Sequence, residues 1–256
     1  MKRIALLVML VVIAMAAFLL SANRNADVIL LNAQAIPLDD QNNRFVVTFE
    51  IQNYGPAKTL IGVESASARM VHIMNPGYND AVLVVPANSS GFFAMDGAHV
   101  MVMGTDPDFV QGASLPLTLR FANAGDVTTR VLNLGSEPDM GVMDHNMSTG
   151  IRSSPSPSIT LDAKNGFSAA GADISVQVEN FSFVRAQDDA HHVALEGHAH
   201  IYLNGLKLGR LYETEFSLGA LPSGNYDLSV SLNSNNHQPY VKDDEAVRDT
   251  LSFVVQ

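Results

Sequence analysis

Methionine and histidine are the residues in this chain whose types and spacing could do chemistry. Leaving aside Met1, Met9 and Met15, the methionines are Met70, Met74, Met95, Met101, Met103, Met140, Met143 and Met147. His72, His99 and His145 share that window. The other histidines, His191, His192, His198, His200 and His237, lie further on, in a stretch with no methionine. Methionine used only as a flexible core filler would be scattered through the whole chain. Thioether sulfur is soft and selects Cu(I), whereas imidazole serves both copper states and zinc. A methionine–histidine site without thiolate can hold Cu(I) in an oxidising compartment.

These donors need elements to position them. Met70, His72 and Met74 alternate, as do His99, Met101 and Met103. On a strand each set projects to one face. Two such rows on facing or adjacent strands converge on one metal. Met95 precedes an Asp96-Gly97 turn signal, faces away from His99 if that turn closes a hairpin, and reads as core. Met140, Met143, His145 and Met147, with Asp139 and Asp144, sit in a Pro-, Ser- and Gly-rich stretch. They read as auxiliary capture ligands, against the alternative of an ordinary exposed linker. His198 and His200 alternate on a second strand, and His237 follows Asn235-Asn236. Three histidines so placed read as a Cu(II) or Zn(II) site. His191 and His192 follow Asp188-Asp189 in a polar loop and read as solvated.

Composition narrows the class. The chain has 256 residues, 47% hydrophobic and 16% charged, with formal net charge −11. Nucleic acid is excluded as a partner, because binding it needs a basic stripe. The absence of cysteine excludes a disulfide scaffold, a thiolate metal site, a cysteine nucleophile and blue-copper electron transfer. No Gly-x-Ser-x-Gly elbow, phosphate-cradling glycine loop or His-Glu-x-x-His occurs, so the chain reads as a non-enzyme. Lys2 and Arg3 precede an apolar run from Ile4 to Leu20. That run reads as an export signal cleaved near Ala22 or Ala26, with a retained membrane anchor as the alternative. In either case the body lies outside the cytoplasm, in the periplasm or an equivalent space.

From Asp27 the pattern is short, alternating and rich in Val, Ile, Leu and Phe, which predicts strands. Nine fall before residue 134, and seven more follow residue 158. The reading is all-β: one β-sandwich followed by a second, Ig-like β-sandwich. Segments are residues 1–26 (signal or anchor), 27–134 (first sandwich), 135–158 (linker) and 159–256 (second sandwich). Asn204-Gly205 predicts a tight hairpin in the second sandwich, since both turn positions need positive φ.

Several stretches resemble a known family. Leu60 to Ser65, His72, Gly97-Ala98-His99-Val100-Met101-Val102-Met103-Gly104, Leu115 to Phe121 and Gly125-Asp126-Val127 look like the PCuAC copper-chaperone domain over roughly residues 28–133. The resemblance implies a cupredoxin-like β-sandwich, a periplasmic location, and Cu(I) carried toward the copper centres of cytochrome oxidase. His72, His99 and Met101 match family ligands. The methionine expected eleven positions after His72 is Leu83 here, and Met74 is the nearest replacement, with Met103 or Met70 behind it. In the second half, Gly197 to Gly205, Leu221 to Tyr226 and Leu232 to His237 resemble exported Ig-like domains that often accompany copper proteins.

The expectation is an exported copper chaperone. His72, His99 and Met101 with Met74 or Met103 would hold Cu(I), and His198, His200 and His237 would hold Cu(II) or Zn(II). Its partners would be copper ions and an acceptor cuproprotein, with the membrane involved only if residues 4–20 are kept. The competing readings are an Ig-like adhesion or scaffold protein with structural histidines, and a zinc carrier.

Overall fold

The computed structural model describes residues 27–39, 43–78, 81–135, 150–185 and 192–256. Its first half holds β1 (Val28–Asp39), β2 (Arg44–Asn53), β3 (Lys58–Glu64), β4 (Ala68–Met74), β5 (Leu83–Val85), β6 (Ser89–Phe93), β7 (His99–Thr105), β8 (Ser114–Phe121) and β9 (Gly125–Asn133). The second half holds β10 (Ser158–Ala163), β11 (Ala172–Glu179), β12 (Ser182–Phe183), β13 (Glu196–Leu203), β14 (Leu206–Leu211), β15 (Glu215–Leu218), β16 (Gly224–Ser234), β17 (Val241–Lys242), β18 (Glu245–Ala246) and β19 (Arg248–Val255). The protein is all-β, as its alternation predicts. Among the described residues no helix is long and apolar enough to cross a membrane. Met140, Met143, His145 and Met147, like residues 1–26, lie outside the described residues.

Period-two burial explains why these segments are strands. In β8, Leu115, Leu117, Leu119 and Phe121 are buried, and the residues between them are not. Burying each such side chain contributes roughly 1.5–3 kcal/mol. They meet Phe45, Val47, Phe49 and Ile51 of β2 and Val100 and Val102 of β7 in a first core. Phe49 stacks on Phe93 with ring centroids 4.5 Å apart. A second core gathers Ile159 and Leu161 (β10), Ile174 and Val176 (β11), Ala199, Ile201 and Leu203 (β13), and Leu228, Val230 and Leu232 (β16). It lies between the small sheet β10-β11-β15 and the strand row β19-β16-β13-β14.

The two cores interlock. The strand row β19-β16-β13-β14 continues into β6-β2-β1-β9-β8-β3-β5, with β7 also pairing β2 and β4 pairing β7. Leu206 on β14 belongs to the first core, and Val84 on β5 belongs to the second. Lys207 of β14 pairs with Phe92 of β6. The Asn204-Gly205 turn forms as expected, with φ of 49° and 82°. Its tip meets the first half, where Asn75 Nδ2 donates to Asn204 O at 2.9 Å. The chain from Gly150, within the stretch read as linker, is already packed: Ile151 N donates to Pro239 O at 2.8 Å.

The Asp96-Gly97 turn does not close a hairpin between β6 and β7. Both strands pair antiparallel with β2, Phe93 opposite Phe49 and Val100 opposite Val47. Residues 94–98 therefore loop out of one long strand. Ala94 N donates to Ala98 O at 2.8 Å, which closes the loop on itself. Met95 sits half-buried in this loop and belongs to neither core.

Candidate metal centres

The first centre is a strand ladder. β4 and β7 pair antiparallel with Met70 opposite Met103, His72 opposite Met101, and Met74 opposite His99. Directly opposed residues in a ladder project to the same side, with Cβ atoms about 4.5–5.5 Å apart. Val100 and Val102 are fully buried in the first core, so His99, Met101 and Met103 point the other way. Six donors thus form three rungs on one outward face. Met70 is 54% and Met74 41% exposed, so incoming metal can reach the thioethers. Val46, opposite Met101 on β2 and only 1% exposed, gives the ladder an apolar flank.

His99 is arranged to offer a lone pair. His99 Nδ1 lies 3.0 Å from Gly97 O. A carbonyl only accepts, so Nδ1 carries the proton and Nε2 keeps its lone pair. His72 Nε2 lies 3.2 Å from Met74 Sδ, and His72 Nδ1 is buried with no hydrogen-bond partner. Leu83, at the position where the resemblance places a methionine, is 6% exposed in the first core and does not face the ladder.

The second centre is buried. His198 and His200 are each 2% exposed on β13, on the face opposite the core residues Ala199 and Ile201. Their Nε2 atoms lie 2.9 Å apart. One ligand nitrogen from each of His198, His200 and His237 falls within 4.8 Å of the others. His237 is delivered by a tight turn in which His237 N donates to Ser234 O at 3.0 Å and Ser234 N to Gln238 O at 2.9 Å. Its φ is 64°, a left-handed conformation uncommon outside glycine and enriched at functional positions. Burial, with repulsion from His200 and His237, pushes His198 down to about 3. Burial likewise pushes His200 down to about 4, against the opposing pull of Asp96. Both rings are neutral at neutral pH, the form that binds metal.

Three residues around this cluster were not singled out from sequence. Asp96 Oδ2, from the 94–98 loop of the first half, lies 2.9 Å from His200 Nδ1. The Tyr202 hydroxyl donates to the same carboxylate at 3.0 Å, and Lys207 Nζ lies 2.7 Å from it. Burial alone would raise the Asp96 carboxyl, but the hydrogen bond from His200 and the Lys207 charge hold it well below the usual carboxylate range. Tyr202 was legible in principle, since His198, His200 and Tyr202 alternate on one face. His192 is exposed, with its ring 6.2 Å from Tyr240 rather than at the cluster, and His191 lies outside the described residues.

Fold and donor clusters together define an all-β protein with two candidate metal centres. Residues 28–132 match the family described as putative lipoprotein LpqE-like. No curated protein sequence matches the chain. Similar solved structures include the copper-bound PCuAC domain from PmoF2, 22% identical over 43% of this chain and 94% of that one, with a TM-score of 0.38. They also include the apo PCuAC domain from PmoF1, 20% identical over 42% of this chain and 92% of that one, with a TM-score of 0.38. A third is the Cu(I) form of DR1885 from Deinococcus radiodurans, 17% identical over 41% of this chain and 76% of that one, with a TM-score of 0.32.

Proposed function

We propose that this protein is a copper carrier working outside the cytoplasm, holding Cu(I) on the β4–β7 ladder and releasing it by ligand exchange. The observation that carries the reading is the three-rung register, in which His72 faces Met101 and Met74 faces His99. Six uncharged thioether and imidazole donors suit a soft monovalent ion. His72, His99 and Met101 are the assigned ligands, completed by Met74 or Met103. Because the face is open, an acceptor's ligands can replace the thioethers one at a time. Met140, Met143, His145 and Met147 are assigned to capture, delivering copper to the ladder. The net charge of −11 draws cations and a basic face of the acceptor. That acceptor is a cuproprotein such as cytochrome oxidase, and the carrier itself is not an enzyme.

The trihistidine cluster is assigned a second, divalent metal. Its buried, neutral imidazoles support Cu(II), and the same tridentate set fits Zn(II) with an open fourth position.

The test is anaerobic Cu(I) titration of the full chain against a colorimetric Cu(I) chelator, beside the His99→Ala/Met101→Ala variant. The reading expects at least one tightly held Cu(I), lost in the variant. Equal retention by both proteins, or none by either, overturns it.

A further inference from the structure

We infer that Asp96 is the positioning residue of the trihistidine centre, so that this centre is built jointly by both halves of the chain. The inference rests on the reading of His198, His200 and His237 as metal ligands. Asp96 Oδ2 lies 2.9 Å from His200 Nδ1, closer than Lys207 Nζ at 3.2 Å, and an acceptor-only carboxylate at that nitrogen favours the tautomer with the proton on Nδ1. That leaves the lone pair on Nε2, the atom that lies 2.9 Å from His198 Nε2. Asp96 thus meets His200 at the ring nitrogen other than the one facing His198, and it stands outside the group of three. A carboxylate holding a ligand histidine by its second nitrogen fixes the tautomer, aims the ring and raises its basicity.

The scaffold is arranged to hold that contact. Asp96 stands on the looped-out segment 94–98, which is clamped from two sides. Ala98 N donates to Gly205 O at 3.0 Å. A Cβ on Gly97 would come within 2.8 Å of the same Gly205 O, so only glycine allows this approach. Tyr202 and Lys207 hold the carboxylate from the second half. Leu206 anchors the carrying hairpin in the first core at 1% exposure. The loop also supplies Gly97 O to His99. One five-residue segment therefore orients a histidine of each candidate centre.

The experiment measures Cu(II) affinity by chelator competition, and the nitrogen hyperfine pattern by electron paramagnetic resonance, on the full chain. All variants carry His99→Ala/Met101→Ala to silence the ladder. Asp96→Ala is expected to weaken Cu(II) binding about 10–100-fold and to change the hyperfine pattern. Asp96→Asn, which keeps an acceptor at the same reach, is expected to recover part of the affinity and the parent pattern. Asp96→Asn also serves if Asp96→Ala does not fold. Parent affinity and spectrum in both variants, while His198→Ala/His237→Ala abolishes binding, overturns the role of Asp96 and leaves the trihistidine site standing. Unchanged binding in His198→Ala/His237→Ala overturns the site itself, and the inference with it.

Discussion

Met74 stands opposite His99 at one end of the β4–β7 ladder, and both are tied to the same turn of the second half. Asn75, next to Met74, donates to Asn204 O at 2.9 Å. Gly97, whose carbonyl holds His99 at 3.0 Å, is followed by Ala98, which donates to Gly205 O at 3.0 Å. The end of the methionine–histidine ladder thus docks on the turn that follows β13, the strand carrying His198 and His200.

Acid should destabilise the metal-free protein below about pH 6.5. His198 and His200 take up protons only near about 3 and about 4 when folded, but near 6.5 when unfolded. Between those limits the unfolded chain binds more protons, so stability falls as pH falls. The slope reaches up to about 1.4 kcal/mol per pH unit for each histidine. Urea midpoints between pH 7 and 4.5 check this, and a flat profile would refute it.

Lys207→Met should tighten binding of a divalent ion at the trihistidine centre, because Tyr202 still holds the Asp96 carboxylate at 3.0 Å while the repulsion of the ion is lost. The substitution removes a cation 2.7 Å from Asp96 Oδ2 and 3.4 Å from His200 Nε2. One unit charge a few ångström away at an effective dielectric near 20 is worth roughly tenfold or more in affinity. Zn(II) competition titration reads the change. Weaker binding would mean that Lys207 supports the site rather than opposing the ion.

Leu206→Ala should cost about 2–5 kcal/mol although β14 belongs to the second half, because Leu206 is buried in the first core. The interlocking of Leu206 and Val84 across the two cores predicts one cooperative unfolding transition that shifts as a whole. Two transitions with only one displaced would show that the halves unfold separately.

Peroxide should convert Met70 and Met74, at 54% and 41% exposure, to sulfoxides before Val-flanked Met101 in the metal-free protein. Loading with Ag(I), a soft monovalent ion that does not redox-cycle with peroxide, should slow oxidation of Met74 and Met101. Peptide mass spectrometry reads each site, and equal oxidation with and without Ag(I) would remove the sulfurs from the ligand set.

Much of the ladder was legible because a strand's period of two is local. Alternation alone places Met70, His72 and Met74 on one face of a strand, and β4 carries all three. Register is not local: that His72 meets Met101 depends on β4 pairing with β7. Asp96-Gly97 carries a true turn signal, yet the turn closes a loop within one long strand, because β6 and β7 both find β2. Asp96 was invisible as a site residue for the same reason, since its partner His200 comes from the other half. Leu206 reads as an ordinary strand residue of its own half, and only the docking of the two halves puts it in the first core.

X-ray absorption at the copper edge of the full chain, loaded anaerobically with one equivalent of Cu(I), tests the central claim most directly. The account predicts a mixed sulfur and nitrogen shell that loses sulfur in Met101→Leu and nitrogen in His99→Ala. A shell of nitrogen and oxygen alone, unchanged in either variant, would contradict it.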